Sequence, residues 1–426
     1  MGYWLLFALI LELFIFYIGN GKNVISPSFI GCAMFLLSTV IYLSAEEYFG
    51  YEIHLNTVIV IASLLLCIFF GEMFAKKIKI KELPQKRAVA EQEVVLPIWL
   101  VLLITLFVLV MAALLLKVTY EFSLENGNTP GNFLTMAKYT REAEEPLKIP
   151  TLISQGKVIS ECIIWFCVYC IFLNKSISGK FYARYLFPII PYLLNLFSVD
   201  NRVSLLKMVA VICVIAFVFI KQKNSWTSKG NVKILVWGVL AICIFLVLFR
   251  WLGYRTETSM RNELWDNLTE YTSAGVVGLD VYMEKGEEPN VLFGESTLKG
   301  IYNILRQWGA PIPEVEEFEP FYFYAHGNSN CYTAFKAYIQ DFTLIGAVFA
   351  MFLWGLVLSY NMKSIQKNGA GFVRMCMVGA MFYSVAMLSI ADTTSTFLSM
   401  GTVYQLVYLF LIDAILIKKK IRLRLR

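Results

Sequence analysis

The residues best suited to chemistry lie in one long polar stretch between two apolar runs. It opens with Arg250, Arg255 and Arg261 and closes with the polar, aromatic segment 324–333. His326 is the only histidine in this stretch, and an imidazole can take a proton near neutral pH or hydrogen-bond a hydroxyl. Guanidinium groups bind phosphate oxygens through paired hydrogen bonds. We therefore expect the arginines to bind phosphate or pyrophosphate and His326 to act on a hydroxyl.

The side chains around His326 are of the type that lines sugar-binding sites. Aromatic faces stack on sugar rings, and amides and phenols bind sugar hydroxyls. The candidates for this role are Tyr324, Asn328, Asn330 and Tyr332. The alternative is a structured surface loop whose histidine only satisfies local hydrogen bonds. Four prolines and four glycines between residues 286 and 320 favour a folded loop with defined turns.

Two further cations stand at or near the start of an apolar run. Arg202 follows a short turn, and Lys207 would lie about 7 Å deeper if the run is helical. A cation at that depth is costly unless it faces a polar cavity or extends back to the surface. Arg202 can equally be an interfacial anchor, and Lys207 can equally extend outward. Together with Arg250, these residues would collect positive charge on one side of a membrane.

Acidic residues near the ends of the apolar runs have a simpler interpretation. Asp341, Asp392 and Glu161 are expected to be solvated helix caps or arginine partners. If His326 is not the base, Asp341 or a glutamate of the loop is the alternative.

The composition predicts the class of protein that positions these residues. The chain has 426 residues, of which 58% are hydrophobic and 16% charged, and its mean hydropathy is +0.63. Soluble domains carry roughly 25% charged residues. Repeated apolar runs of bilayer-spanning length predict an all-α, polytopic membrane protein. The net charge of +6 does not indicate nucleic acid, because the lysines and arginines form short clusters between the runs.

The apolar runs predict about eleven transmembrane helices, within a range of 10–12. They are Tyr3–Gly19, Ser26–Leu43, Thr57–Ala75, Val95–Leu116, Gly156–Leu173, Tyr182–Ser198, Val203–Ile220, Ile234–Leu252, Phe342–Tyr360, Phe372–Ala391 and Phe397–Ile417. This gives three units: eight spans in residues 1–252, one large extracytoplasmic loop at 253–341, and three spans with a basic tail at 342–426. The first run has no basic segment or cleavage site typical of a signal peptide, so we expect it to be retained.

The basic residues predict the orientation. Five clusters, at 76–87, 175–184, 221–233, 363–367 and 418–426, fall in every second break between spans. Basic breaks stay in the cytoplasm, so the large loop and the N-terminus are expected outside and the C-terminus inside. The basic tail also suits an anionic lipid surface.

The cysteines and histidines do not predict a metal site. Most of the nine cysteines lie inside apolar runs, where they are typical small buried residues. The two histidines, His54 and His326, are far apart, and no local zinc-binding pair of cysteines or histidines is present. We therefore expect no metal and no other cofactor.

Three short segments resemble the Wzy-type polymerases of O-antigen and capsule assembly. They are the turn and span start at 200–204, residues 271–275 followed by 292–300, and residues 327–335 followed by 338–347. The predicted layout, about a dozen spans with one long outer loop in the second half, is also similar. Related O-antigen ligases carry a His-Asn pair before the span that follows their loop, whereas here Gly327 separates His326 from Asn328.

The resemblance implies a glycosyltransferase of the bacterial cytoplasmic membrane with a fold like that of the GT-C group. Its donor would be a glycan on undecaprenyl pyrophosphate, and its acceptor a lipid-linked repeat unit. It implies neither a nucleotide sugar nor a metal, and chain-length regulators are common partners in the family. Tyr271, in a matching segment, would contact substrate.

The resulting hypothesis assigns Arg202, Arg255 and Arg261 to the donor pyrophosphate, with Arg250 and Lys207 nearby, and His326 to the acceptor hydroxyl. Cations there would neutralise the leaving group in the transition state. A ligase of the same superfamily and a lipid-linked-oligosaccharide flippase or other transporter remain alternatives.

Overall fold

The computed structural model describes residues 1–81, 93–126, 147–198, 202–240, 264–286, 290, 292–313, 319–369 and 371–418. Within these ranges it contains long helices, short connecting helices and one small hairpin. Eight of the described helices are long and apolar enough to cross a membrane. The prediction of an all-α, polytopic membrane protein is therefore confirmed at that level.

The first half of the chain forms helices whose bounds follow the apolar runs. They are α1 (Gly2–Gly19), α2 (Pro27–Ser44), the single turn α3 (Glu46–Phe49), α4 (Leu55–Lys77), α5 (Ile98–Glu125), α6 (Thr151–Ser178), α7 (Ile189–Ser198) and α8 (Arg202–Lys223). Residues 231–240 are also helical up to the edge of the described range.

The second half adds six helices and the hairpin. They are α9 (Leu264–Lys285), α10 (Lys299–Gln307), β1 (Tyr322–Tyr324), β2 (Gly327–Ser329), α11 (Ala334–Asn368), α12 (Phe372–Ala386), the single turn α13 (Thr394–Phe397) and α14 (Met400–Ile412). A π-helical turn, Asp413–Ile417, continues α14.

One predicted span is not a continuous helix. The run Tyr182–Ser198 forms a 3₁₀ turn, Ala183–Leu186, followed by the ten-residue helix α7. Pro188 and Pro191 lack the backbone N–H that a continuing helix would need. Ten helical residues extend about 15 Å, roughly half of a bilayer core.

Several other spans differ in their limits; α5, for example, extends nine residues beyond the predicted end at Leu116. Helix α12 ends at Ala386, five residues before the predicted end. Helix α11 begins at Ala334, and its backbone is interrupted at Thr343, where φ is 63°. The interruption lies beside the predicted boundary between the large loop and the last spans.

Among the described helices, α4 and α11 pack most closely. A Cβ atom at Gly71 would lie 2.1 Å from the Phe352 carbonyl oxygen, and one at Gly355 would lie 2.0 Å from the Ile68 carbonyl oxygen. At each of these contacts one residue is a glycine, and its missing side chain lets the two backbones approach, as is common between membrane helices.

The described residues between 264 and 333, which we call the cap, pack on one end of the bundle. Within the cap, the Tyr322 hydroxyl donates to the Ala274 carbonyl oxygen at 2.6 Å. The Ser273 hydroxyl donates to the Ser38 carbonyl oxygen of α2 at 3.0 Å. At the start of α11, the backbone N–H of Ala334 donates to the Leu388 carbonyl oxygen at 2.9 Å. Much of the predicted loop is thus a folded layer with a buried face.

Several basic breaks meet at the opposite end. The Lys76 ammonium donates to the Gly19 carbonyl oxygen at 2.8 Å, and the Lys363 ammonium donates to the Lys76 carbonyl oxygen at 2.6 Å. These lysines stabilise the carboxyl ends of α1 and α4. The clustering agrees with the predicted alternation of basic breaks, and its assignment to the cytoplasm stays a prediction.

Candidate functional site in the cap

The hairpin of the cap presents two faces of different character. Residues Phe323 and Asn328 are cross-strand partners, and both are exposed; Phe323 is 77% exposed. His326 lies exposed in the connecting turn. The opposite face, which includes Tyr322 and Ser329, is buried. The outward face therefore combines an aromatic ring, an amide and an imidazole.

The two tyrosines predicted to bind sugar belong to the interior of the cap. The Tyr324 ring packs 5.1 Å from the Phe49 ring, measured between centroids. Tyr332 is 7% exposed, and its hydroxyl donates to the Pro320 carbonyl oxygen at 3.0 Å. The Lys336 ammonium lies 4.7 Å from the centre of the Tyr332 ring. In this structure Tyr324 and Tyr332 stabilise the cap, while Phe323, which the sequence analysis did not select, occupies the outward face.

The hairpin rests on the turn that joins α2 to α4. The backbone N–H of Ala325 donates to the Phe49 carbonyl oxygen at 3.0 Å. The Tyr48 ring stacks near the His326 ring, with 6.1 Å between centroids. Because the same turn continues to His54, the two histidines of the chain lie on segments that are in direct contact.

His54 lies between two carboxylates of α9. Its Nδ1 is 2.7 Å from Asp280 Oδ2, and its backbone N–H donates to Asp280 Oδ1 at 2.8 Å. Its Nε2 is 2.9 Å from Glu284 Oε1, and the Tyr51 hydroxyl donates to the other oxygen of Glu284 at 3.1 Å. Asp280 is fully buried, whereas the His54 and Glu284 side chains are 50% and 46% exposed.

The carboxylates change the proton affinity of this cluster. The hydrogen bond to Asp280 and the negative charges of Asp280 and Glu284 raise the pKa of His54 above its usual range. Burial and the same carboxylates raise the pKa of Tyr51. The cluster can therefore hold a proton, or another positive charge, at the surface of the cap.

Asp341, the alternative base, is enclosed. Its Oδ1 accepts hydrogen bonds from the Asn290 amide at 2.7 Å and the Ser296 backbone N–H at 3.1 Å. Its Oδ2 accepts from the backbone N–H and the hydroxyl of Thr297, both at 2.7 Å. With 7% exposure and four donors, Asp341 fixes the loop before α10 onto α11.

Lys207 has a neutralising partner between the helices. Its ammonium donates to Gln405 Oε1 at 2.8 Å and lies 3.9 Å from Glu161 Oε1. The Gln405 amide in turn donates to Glu161 Oε2 at 2.8 Å. The Lys207 ammonium also lies 5.4 Å from the centre of the Trp165 ring. Lys207 therefore faces a polar interior, and Glu161 is its partner rather than a solvated cap.

The remaining predicted residues are placed as follows. Tyr271 is half-buried in α9, and Asn330 is half-buried just after β2. Arg202 begins α8, but its side chain lies outside the described residues, as do Arg250, Arg255 and Arg261 in full. The glutamates at 314, 316 and 317 are likewise outside, and Glu319 forms an ion pair with Lys336. The grouping of the arginines stays a prediction.

The sequence analysis missed His54, Asp280 and Glu284. His54 and Asp280 are 226 positions apart. A signal was present in the four-residue spacing of Asp280 and Glu284, which places both on one face of a helix. Because no helix was predicted at 264–285, the sequence analysis could not place the two carboxylates on one face.

In comparisons with known proteins, no family model, curated protein or solved structure matches the chain.

Proposed function

We propose that the chain is a membrane glycosyltransferase that polymerises oligosaccharide repeat units carried on undecaprenyl pyrophosphate. The outward face of the hairpin is the observation that carries this proposal. Phe323 provides an exposed ring for stacking on a sugar, and Asn328 opposite it provides an amide for hydroxyl groups. His326 lies in the turn that joins them.

The reaction transfers a growing glycan from its lipid carrier to a new repeat unit. A hydroxyl of the acceptor sugar attacks C1 of the donor sugar, and the C1–O bond to the pyrophosphate breaks. The hydroxyl proton passes to His326, and undecaprenyl pyrophosphate leaves with the electron pair of the broken bond. Arg202, Arg255 and Arg261 are assigned to the leaving pyrophosphate, where cations would stabilise the charge that develops.

The enclosure of Asp341 favours His326 as the base that takes the proton of the acceptor hydroxyl. A carboxylate that accepts four hydrogen bonds has little capacity left for a substrate proton. His326 is exposed beside a sugar-binding surface, so we retain it as the base and assign Asp341 to positioning. Lys207, which Glu161 neutralises, is assigned to the interior polar network and not to the pyrophosphate.

The membrane setting follows from the same proposal. We assign about eleven spans and a GT-C-like architecture, with the cap on the outer face of the bacterial cytoplasmic membrane. The N-terminus would then lie outside and the C-terminus in the cytoplasm. Donor and acceptor would enter from the bilayer, and a chain-length regulator would be a partner of the assembly.

The test is reconstitution of the purified protein in liposomes with a purified undecaprenyl-pyrophosphate repeat unit. The parent chain should produce a ladder of polymer lengths. Phe323→Ala and His326→Ala should each reduce polymer at least tenfold. Trp308→Ala is the matched control, because Trp308 is an equally exposed aromatic residue of the cap on α10's carboxyl side. A parent chain that leaves the repeat unit unpolymerised contradicts the proposal.

A transporter is the second candidate, favoured by the ion pair between α6 and α8. Glu161 and Lys207 lie within helices long enough to span a bilayer, where charged residues commonly mark substrate or ion pathways. In the same liposomes, a transporter would move intact repeat unit between leaflets without lengthening it. A ligase of the same superfamily would instead transfer a finished glycan once to a different acceptor, giving a single product and no ladder.

A further inference from the structure

We infer that His54, Asp280 and Glu284 form a binding site for a divalent metal ion at the surface of the cap. His54 Nε2 and a carboxylate oxygen of Glu284 would be the protein ligands, and Asp280 would orient the imidazole. Water would complete the coordination on the exposed side. The inference does not depend on the glycan substrate or on the transfer reaction.

The ligand atoms already have the required spacing. One ligand atom from each of the three residues lies within 4.8 Å of the others. Mn²⁺ and similar ions bind oxygen and nitrogen at roughly 2.1 Å, so two neighbouring ligands of an octahedral ion lie about 3.0 Å apart. The distance between His54 Nε2 and Glu284 Oε1 is 2.9 Å. At this separation the two atoms can bind one ion from adjacent positions of its coordination shell.

The surroundings match those of a metal-binding histidine. Such histidines usually donate their second ring N–H to a carboxylate, which fixes the tautomer and the ring orientation. Asp280 provides this carboxylate at 2.7 Å from Nδ1, and its other oxygen holds the His54 backbone. The Tyr51 hydroxyl orients Glu284 in the same way. Both ligands are therefore held by other groups before an ion arrives.

The charge of the site also favours a cation. Among the described residues, His54 is the only basic group within salt-bridge distance of Asp280 or Glu284. When an ion displaces the imidazole proton, the neutral ring leaves the two carboxylates with a local charge of two negative units. Glu52 adds a further carboxylate two positions from His54. A divalent ion would neutralise the pair and would tie the segment before α4 to α9.

The ligands are accessible and come from separate elements. The His54 and Glu284 side chains are each about half exposed, so an ion can reach them and keep water ligands. His54 immediately precedes α4, whereas the carboxylates are one turn apart on α9. Binding should therefore stabilise the contact between these two elements, because an ion that binds only the folded state raises its stability.

The experiment is titration of the full-length protein, purified in detergent after chelator treatment, with Mn²⁺ alone. Loss of the free-ion signal in electron paramagnetic resonance measures binding, and Zn²⁺ is added as a competitor. We expect one saturable site per chain. Glu284→Gln and His54→Gln should weaken binding at least tenfold, and Asp280→Asn should weaken it by a smaller factor.

Glu52→Gln is the matched control, since it removes the same charge as Glu284→Gln, from the segment that carries His54, without removing a ligand. It should change the dissociation constant less than twofold. Each variant is first compared with the parent in thermal unfolding without metal, and Glu284→Gln, an exposed isosteric change, should unfold at the parent temperature. Absence of saturable binding in the parent, or equal binding by the parent, Glu284→Gln and His54→Gln, would overturn the inference.

Discussion

Asp341 and Asp280 perform the same structural task in two regions of the molecule, on α11 and on α9, but only the region of Asp280 leaves a route to the surface. Asp341 collects four donors from the segment 290–297 and is closed by them. Asp280 holds the backbone and the ring of His54, and that ring continues outward to Glu284. Protein groups close the region of Asp341. The region of Asp280 ends in the half-exposed side chains of His54 and Glu284, which can bind a ligand.

The other end of the molecule supports this distinction. Glu72 is fully buried and accepts hydrogen bonds from the backbone and hydroxyl of Ser28, at 2.5 Å and 2.8 Å, and from the Asn20 amide. It is closed in the same way as Asp341. A buried carboxylate whose two oxygens accept hydrogen bonds only from closed-in protein groups stabilises the fold, whereas one that acts through an exposed imidazole can also serve a site.

The largest loss of stability should follow from a substitution of Asp341, which removes the acceptor in the closed region. Asp341→Ala removes the acceptor for two backbone N–H groups and two side chains, and we expect it to lower the free energy of unfolding by about 3 kcal/mol. Thermal unfolding of the purified protein in detergent measures the loss. Faster proteolytic cleavage near residues 287–298 would locate it to the segment that Asp341 holds.

Asp392→Ala is the comparison for that variant. The Asp392 carboxylate accepts from the Thr394 backbone N–H at 2.9 Å at the start of the turn α13. Loss of a single hydrogen bond of this kind costs about 1 kcal/mol. If Asp341→Ala cost no more than Asp392→Ala, the enclosure of Asp341 would not be what holds the segment.

An intermediate effect is expected where the carboxylate acts through the histidine. Asp280→Asn keeps the size of the side chain and one oxygen that can accept a hydrogen bond from His54. It removes the negative charge beside the imidazole ring. We expect the free energy of unfolding to fall by about 1–2 kcal/mol, in the range of a hydrogen bond to a charged group. Thermal unfolding in the presence of a chelator isolates this contribution. A loss equal to that of Asp341→Ala would make the two regions equivalent and would remove the contrast drawn above.

The sequence predicted the helices well because each apolar run carries its own signal. The predicted helix limits were wrong where a local preference competed with the apolar pattern. Pro188 and Pro191, within the run Tyr182–Ser198, are the example. Inside the predicted loop, α9 was missed because it is only weakly apolar, and its buried residues become visible only beside α2. Where such a helix fits into the bundle through small residues such as Gly275, part of its buried face carries no large apolar side chain to detect.

The candidate site was predictable only in part, for the same reason. His326 and Asn328 were found because they are close in sequence and chemically distinctive. The direction in which each hairpin residue points depends on register, so Phe323 could not be separated from Tyr324 before the strand pairing was known. The cluster at His54 required a contact across 226 positions.

The smallest effect on stability should come from the outermost member of the open region. Glu284 is 46% exposed, and solvent screens its interaction with His54, so Glu284→Gln should change the free energy of unfolding by no more than about 0.5 kcal/mol. The same substitution should have the greatest effect of the three on the stabilisation that Mn²⁺ provides, because it removes a ligand and not a support. Thermal unfolding with and without Mn²⁺ separates the two quantities. The contrary result is a Glu284→Gln variant that loses stability without metal but gains as much stability from Mn²⁺ as the parent. Glu284 would then serve the fold, as Asp341 does, and would not be a metal ligand.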